Sequence, residues 1–223
     1  MMAEYPFNSL LLPLLKGLLI TLELAGIVLV LGTVLGVLGG ILSVWGGRVV
    51  RLCLTFFIFI IRGVPLLVQI FLVFFALPLA GIKLSAFMSA VLALSVFATA
   101  TITEIVRGGI QSVSSGQMEA AKAVGFSHAQ AVRIVVLPQA TMFMLPPLIT
   151  QWVLLVKSTA IISLLGVPEL MLAGREVIER TLLGLEVMTL IWLMYTAICF
   201  PLTVLGRRLE ANYAARGLRS VVS

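Results

Sequence analysis

The sequence predicts an all-α integral membrane protein with about five transmembrane helices, N-terminus outside and C-terminus inside. Three observations carry this expectation. Of its 223 residues, 61% are hydrophobic and 11% are charged, whereas soluble domains hold roughly 25% charged residues. Several apolar runs reach the ~20 residues that a spanning helix needs. The basic residues gather in alternate loops, as the positive-inside rule requires. That asymmetry accounts for the net charge of +6, so no nucleic-acid partner is expected. The bilayer itself is the expected surrounding, and residues 1–223 are read as one transmembrane domain.

The opening "MMAEYPFNS" carries an acid and no basic n-region, so the first apolar run, about Leu18 to Leu42, is expected to be an uncleaved span. Within it Gly32, Gly36 and Gly40 stack on one helical face, the small-xxx-small spacing that lets two membrane helices approach closely. Glu23 lies near the outer end of this span. A short basic turn with Arg48 and Arg51 leads to a second run, Leu52 to Leu79, interrupted by "RGVP" at Arg62–Pro65. Proline cannot donate a backbone hydrogen bond and glycine weakens a helix, so a break is expected there. It would separate an amphipathic entry helix from the span proper.

A third run extends from about Leu84 to Ile105. Near its inner end Glu104 and Arg107 lie three apart on one face and can pair, with Arg62 as a second possible partner. A lone carboxylate in hydrocarbon costs roughly 2.5–3.5 kcal/mol, so these three residues are read as a structural ion-pair group. A fourth run, about Ala140 to Val156, contains Pro146–Pro147. Gln151 and Ser158 are two turns apart on one face and, with Thr159, suggest a lined cavity rather than lipid contact. Residues from about 159 to 184 form the main outer loop, and the fifth span covers about Leu185 to Leu205.

Between the third and fourth spans lies "SSGQMEAAKAVGFSHAQAVRIVVLPQ". Ser114 with Gln117 and Ser127 with Gln130 both have the S-x-x-Q form of a capping box. Gly125 falls between the two helices and Pro138 is expected to stop the second. Charge places this segment inside: Arg48, Arg51, Arg107, Lys122, Arg133, Arg207, Arg208, Arg216 and Arg219 share its side, against Lys16, Lys83, Lys157, Arg175 and Arg180 outside.

No catalytic or metal constellation is present. The sequence holds no aspartate, a single histidine (His128) and no G-x-x-x-x-G-K-[ST] phosphate loop, so neither a metal nor a bound cofactor is expected. Cys53 and Cys199 sit in apolar runs and read as small buried hydrophobes.

The stretch "GQMEAAKAVGFSHAQAVRIVVLPQA" resembles the EAA loop of bacterial ABC importer permeases. Glu119, Ala120, Ala121 and Gly125 match its core, and Leu137–Pro138 match the "LP" that follows. "GLLITLELA", "RGVPLLVQIF", "TEIVRGGIQSV" and "LPPLITQWVLLVKSTAI" are similar to stretches of the polar amino acid branch, in the same order. The resemblance implies a permease of the cytoplasmic (inner) membrane, without enzymatic activity, importing a polar amino acid or an opine-like compound. It implies a second permease copy, an extracytoplasmic substrate-binding protein, and an ABC ATPase dimer that uses ATP and docks on Glu119–Gly125. The family's K-D-T-S run is Lys157–Ala160 here, with Ser158 in place of the acid, which points away from cationic substrates. Ser114 stands where proline is common, and Met142–Phe143 where an arginine is common. The rival class is an ATP-independent secondary carrier or channel.

Overall fold

A computed structural model describes residues 7–215, with side chains described over 8–211. The first residues Met1–Pro6 and the basic Arg216 and Arg219 lie outside that range. The described chain is helical: α1 (Phe7–Trp45), α2 (Arg48–Gly63), α3 (Leu66–Leu79), α4 (Ala86–Gln111), α5 (Ser115–Ala123), α6 (His128–Leu165), α7 (Leu170–Thr181) and α8 (Gly184–Ala215).

Four of these, α1, α4, α6 and α8, are long and apolar enough to cross a membrane. A fifth crossing is available only through the α2–α3 pair, which breaks at Gly63–Pro65 and turns through 103°. Helix α3 alone has 14 residues' worth of rise, about 21 Å, and is short against a ~30 Å hydrocarbon layer. The first span is longer than expected. Its 39 residues begin at Phe7 rather than Leu18, because nothing from Asn8 onward, Pro13 included, removes more than one helical hydrogen bond.

The second helix of the inner segment does not stop at Pro138. From His128 the chain runs on through a π turn at Val132–Val136, resumes as α-helix at Leu137 and continues to Ser158 before tightening to a 3₁₀ turn at Thr159–Leu165. The Leu137 N–H donates to Val132 O in this wider turn, so the helix carries on past the one hydrogen bond that Pro138 cannot make. Helix α3 does the same, with a π turn at Leu72–Ala76 ahead of Pro78.

Residue contacts divide the chain into two units, each assembled from three stretches. The first holds 1–32, 64–97 and 153–201, and the second holds 33–63, 98–152 and 202–223. The first unit's core joins Leu10 and Leu14 of α1 to Leu170 and Val177 of α7 and to Leu183, Val187 and Ile191. Glycine makes the contact close: a β-carbon on Gly17 would lie 2.7 Å from that of Ala173.

In the second unit α1 packs on α4. A β-carbon on Gly36 would lie 2.6 Å from Ile102, one on Gly39 2.5 Å from Thr103 Oγ1, and one on Gly40 would strike Val106. The packing face therefore includes Gly39, which the four-residue spacing missed. Trp152 of α6 donates its indole N–H to Thr33 Oγ1 at 3.1 Å. Large apolar side chains elsewhere point outward, among them Trp192 at 64% and Phe200 at 63% exposure. In hydrocarbon such a surface is solvated, and a helix satisfies most of its backbone polar groups internally.

Candidate functional site

The inner segment is built by three local devices. Ser114 begins α5, its Oγ accepting the Gly116 N–H at 3.3 Å. The reciprocal half of that box is not formed, because Gln117 Oε1 accepts from Gln139 Nε2 of α6 instead, at 3.3 Å. The bond ties the start of α5 to the helix that carries the chain into the membrane. At the other end of α5, Gly125 has φ +92°. Its N–H donates to Lys122 O at 3.0 Å and that of Phe126 to Ala121 O at 3.1 Å, the paired bonds of a Schellman ending. Ser127 then opens α6 with a complete capping box: its Oγ accepts the Gln130 N–H at 3.3 Å and its N–H donates to Gln130 Oε1 at 2.8 Å.

The result is a stiff knuckle with a defined outer surface. Glu119, Ala120 and Gly125 are exposed, and Ala121 is buried. The small side chain at Ala120 leaves room for a neighbour, whereas the room at Ala121 is used inside this chain. Val124, 74% exposed beside the glycine, completes the surface. Its signal in the sequence is an apolar residue at a helix end with no partner at helical spacing.

Inside the membrane, Gln151 is buried and its side-chain amide makes no hydrogen bond to a described residue. Ser158 donates to Leu154 O at 2.8 Å, and the buried Thr159 donates to Val156 O at 2.7 Å. Both hydroxyls are thus turned back on their own helix; the lone pairs of the half-buried Ser158 stay accessible, whereas Thr159, expected on the same lined face, is enclosed by protein.

Arg107 grips Glu104 with both a 2.9 Å Nε–Oε2 bond and an Nη2–Oε1 bond, and donates to Gln111 Oε1 at 2.8 Å. Arg62 makes no hydrogen bond or ion pair to a described residue. It lines, with Thr55, Ile58, Phe59, Glu104 and Arg107, an open cavity of about 520 Å³.

One polar cluster was not anticipated from the sequence. Glu169, which falls within the stretch of about 159 to 184 expected to form the main outer loop, is fully buried. It caps α7, its Oε1 accepting the Leu172 N–H at 2.9 Å, while Oε2 accepts the hydroxyls of Tyr195 at 3.1 Å and Thr21 at 3.4 Å. Thr21 Oγ1 in turn accepts the Leu170 N–H at 3.1 Å. Burial holds the Glu169 carboxyl above its ordinary range, against the opposing pull of these donors. The available signal was local: an acid directly before an apolar helix is an N-cap.

Comparison with known proteins gives this geometry a family. Residues 32–215 match the model described as binding-protein-dependent transport system inner membrane component. The chain belongs to that family. It is 39% identical over 163 residues to the probable glutamine ABC transporter permease protein GlnM of Bacillus subtilis, covering 71% of this chain and 76% of that one. To the glutamine transport system permease protein GlnP of Escherichia coli it is 38% identical over 156 residues, covering 69% and 71%. Among solved structures, a chain of an amino acid ABC transporter with histidines superposes with TM-score 0.84 at 30% identity, covering 93% of this chain and 99% of that one. The inward-facing MetNI methionine ABC transporter shares the fold, with TM-score 0.72 at 21% identity. This family member is a multi-pass inner-membrane transport component.

Proposed function

We propose that this permease is the transmembrane subunit of an ATP-driven importer of a polar, uncharged amino acid, with glutamine the first candidate. The names of its relatives support the substrate class. So does chemistry: the Gln151 amide and the lone pairs of Ser158 offer hydrogen bonds without the negative charge that a cationic substrate would need. The observation that carries the mechanism is the knuckle Ser114–Gln130. It presents Glu119, Ala120 and Val124 on a surface whose backbone is held by a Schellman ending and a capping box.

In this reading an ABC ATPase dimer seats on that surface, Glu119 meets a basic group, and Ala120 lets the helix lie close. Force passes through the Gln117–Gln139 bond and the unbroken α6 into the span that carries Gln151. A second permease copy completes the path, and an extracytoplasmic binding protein delivers the substrate. The test is ATP hydrolysis by the reconstituted complex. Hydrolysis should rise with loaded binding protein in the wild type, and Glu119→Lys or Gly125→Pro should abolish the rise or the assembly. Full transport by both variants sinks the coupling assignment, and uptake driven by an ion gradient with this chain alone would establish the secondary-carrier reading.

A further inference from the structure

Helix α2 carries apolar residues on the outside. Val49, Leu52, Phe56 and Phe59 are 74, 70, 64 and 76% exposed, and their spacing of three or four places them in one stripe. Ile58 is buried. Arg48, Arg51 and Arg62 fall on the face adjoining the stripe, at about 100° per residue, and Arg48–Gly63 contains no acid. With the N-terminus outside, this helix follows the first span and lies on the inner side. The chain then turns through 103° before α3 enters the membrane. A helix with an apolar stripe flanked by arginines and turned away from the span suits the plane of the membrane interface.

Beside the stripe opens the cavity of about 520 Å³. Glu104 there is gripped by Arg107 and meets Arg62 only through space, so two guanidinium groups share one carboxylate and the cavity keeps a net positive charge at Arg62, with the Thr55 hydroxyl and the exposed Phe59 ring on the same wall. Basic cavities between membrane helices on the cytoplasmic side take anionic lipid headgroups.

We propose that α2 is an interfacial anchor and that the Arg62 cavity holds the phosphate of an anionic phospholipid, its acyl chains lying along Phe56 and Phe59. A free phosphate would leave the apolar stripe unused. A protein partner would need acids opposite three arginines and an apolar face opposite the stripe. A phospholipid supplies both in one molecule. The proposal does not depend on which substrate is carried.

The test uses the full-length chain with Trp45, Trp152 and Trp192 replaced by phenylalanine and Phe56→Trp as the sole reporter. It is placed in bilayers of phosphatidylcholine mixed with phosphatidylglycerol, with bromine on the acyl chains of one lipid or the other. Brominated phosphatidylglycerol should quench the reporter more strongly than its abundance predicts. That preference should fall about fivefold for Arg62→Gln and further for Arg48→Gln with Arg51→Gln, while Arg62→Lys should retain part of it. Absence of quenching by either lipid would show the stripe covered by protein and overturn the proposal. Equal quenching by both lipids would reduce α2 to a neutral anchor, and abolition of the preference by inorganic phosphate would make the cavity a soluble-anion site; either result overturns the headgroup assignment. Because quenching reports lipid contact without transport, failure of the importer reading leaves this result interpretable.

Discussion

Glu169 shows how much one side chain can organise when it is removed from solvent. Its carboxylate receives a helix N-terminus, a tyrosine hydroxyl and a threonine hydroxyl, joining α1, α7 and α8 within the first unit. Burial raises its pKa in the folded state. The folded protein therefore holds this proton more tightly than the unfolded chain, so the contribution is present below the ordinary glutamate range and is lost as pH rises through the raised value. Thermal stability of the purified permease should fall across that window, and Glu169→Gln should flatten the slope. An unchanged slope would mean that another group titrates. Gly125 is the second decisive residue. At φ +92° any side chain is strained, so Gly125→Ala should destabilise the knuckle by roughly 1 kcal/mol, seen as faster amide exchange over Lys122–Phe126.

Elements are set by how closely they approach and by how they end. The α1–α4 seam in the second unit depends on Gly36, Gly39 and Gly40 lying against Ile102, Thr103 and Val106. Gly39→Leu forces a side chain into backbone-level space and should cost about 1–3 kcal/mol, measurable as a lowered unfolding temperature in detergent. Gly47→Ala meets open space and is the matched control. The capping box at Ser127 governs where α6 begins. Ser127→Ala removes one bond of the box and should cost about 1 kcal/mol locally, with a loss of binding-protein-stimulated ATP hydrolysis larger than the loss of stability.

For the whole molecule the testable quantity is sidedness. Five spans with an outer N-terminus, the orientation that loop charge predicts, would place the knuckle and α7 on opposite sides of the membrane. In a background with Cys53 and Cys199 replaced by serine, Ser114→Cys should react with an impermeant thiol reagent only from the cytoplasmic face. Arg175→Cys should react only from the other. Labelling of both from one side would invert the topology and remove the knuckle from reach of any cytoplasmic ATPase. Both positions are exposed, so a failure to label reports side rather than burial.

The membrane class and the two capped helices of the knuckle were readable from the sequence, which also predicts the orientation. Apolar run length, loop charge and capping residues each act locally, and a local rule can be read from adjacent residues. Gly125 is legible for that reason, since a left-handed turn between two capped helices calls for glycine. The extent of α6 was not legible, because Pro138 ends a helix by local rules and only a π turn in the preceding residues cancels that. Nor was the Glu169 cluster, whose partner Thr21 is 148 positions away in the chain. The inward facing of Ala121 beside the outward facing of Ala120, and the open cavity at Arg62, are likewise decided by packing between distant segments. The tertiary structure alone settles these, because burial and unpaired charge are properties of what surrounds a residue rather than of its neighbours in sequence.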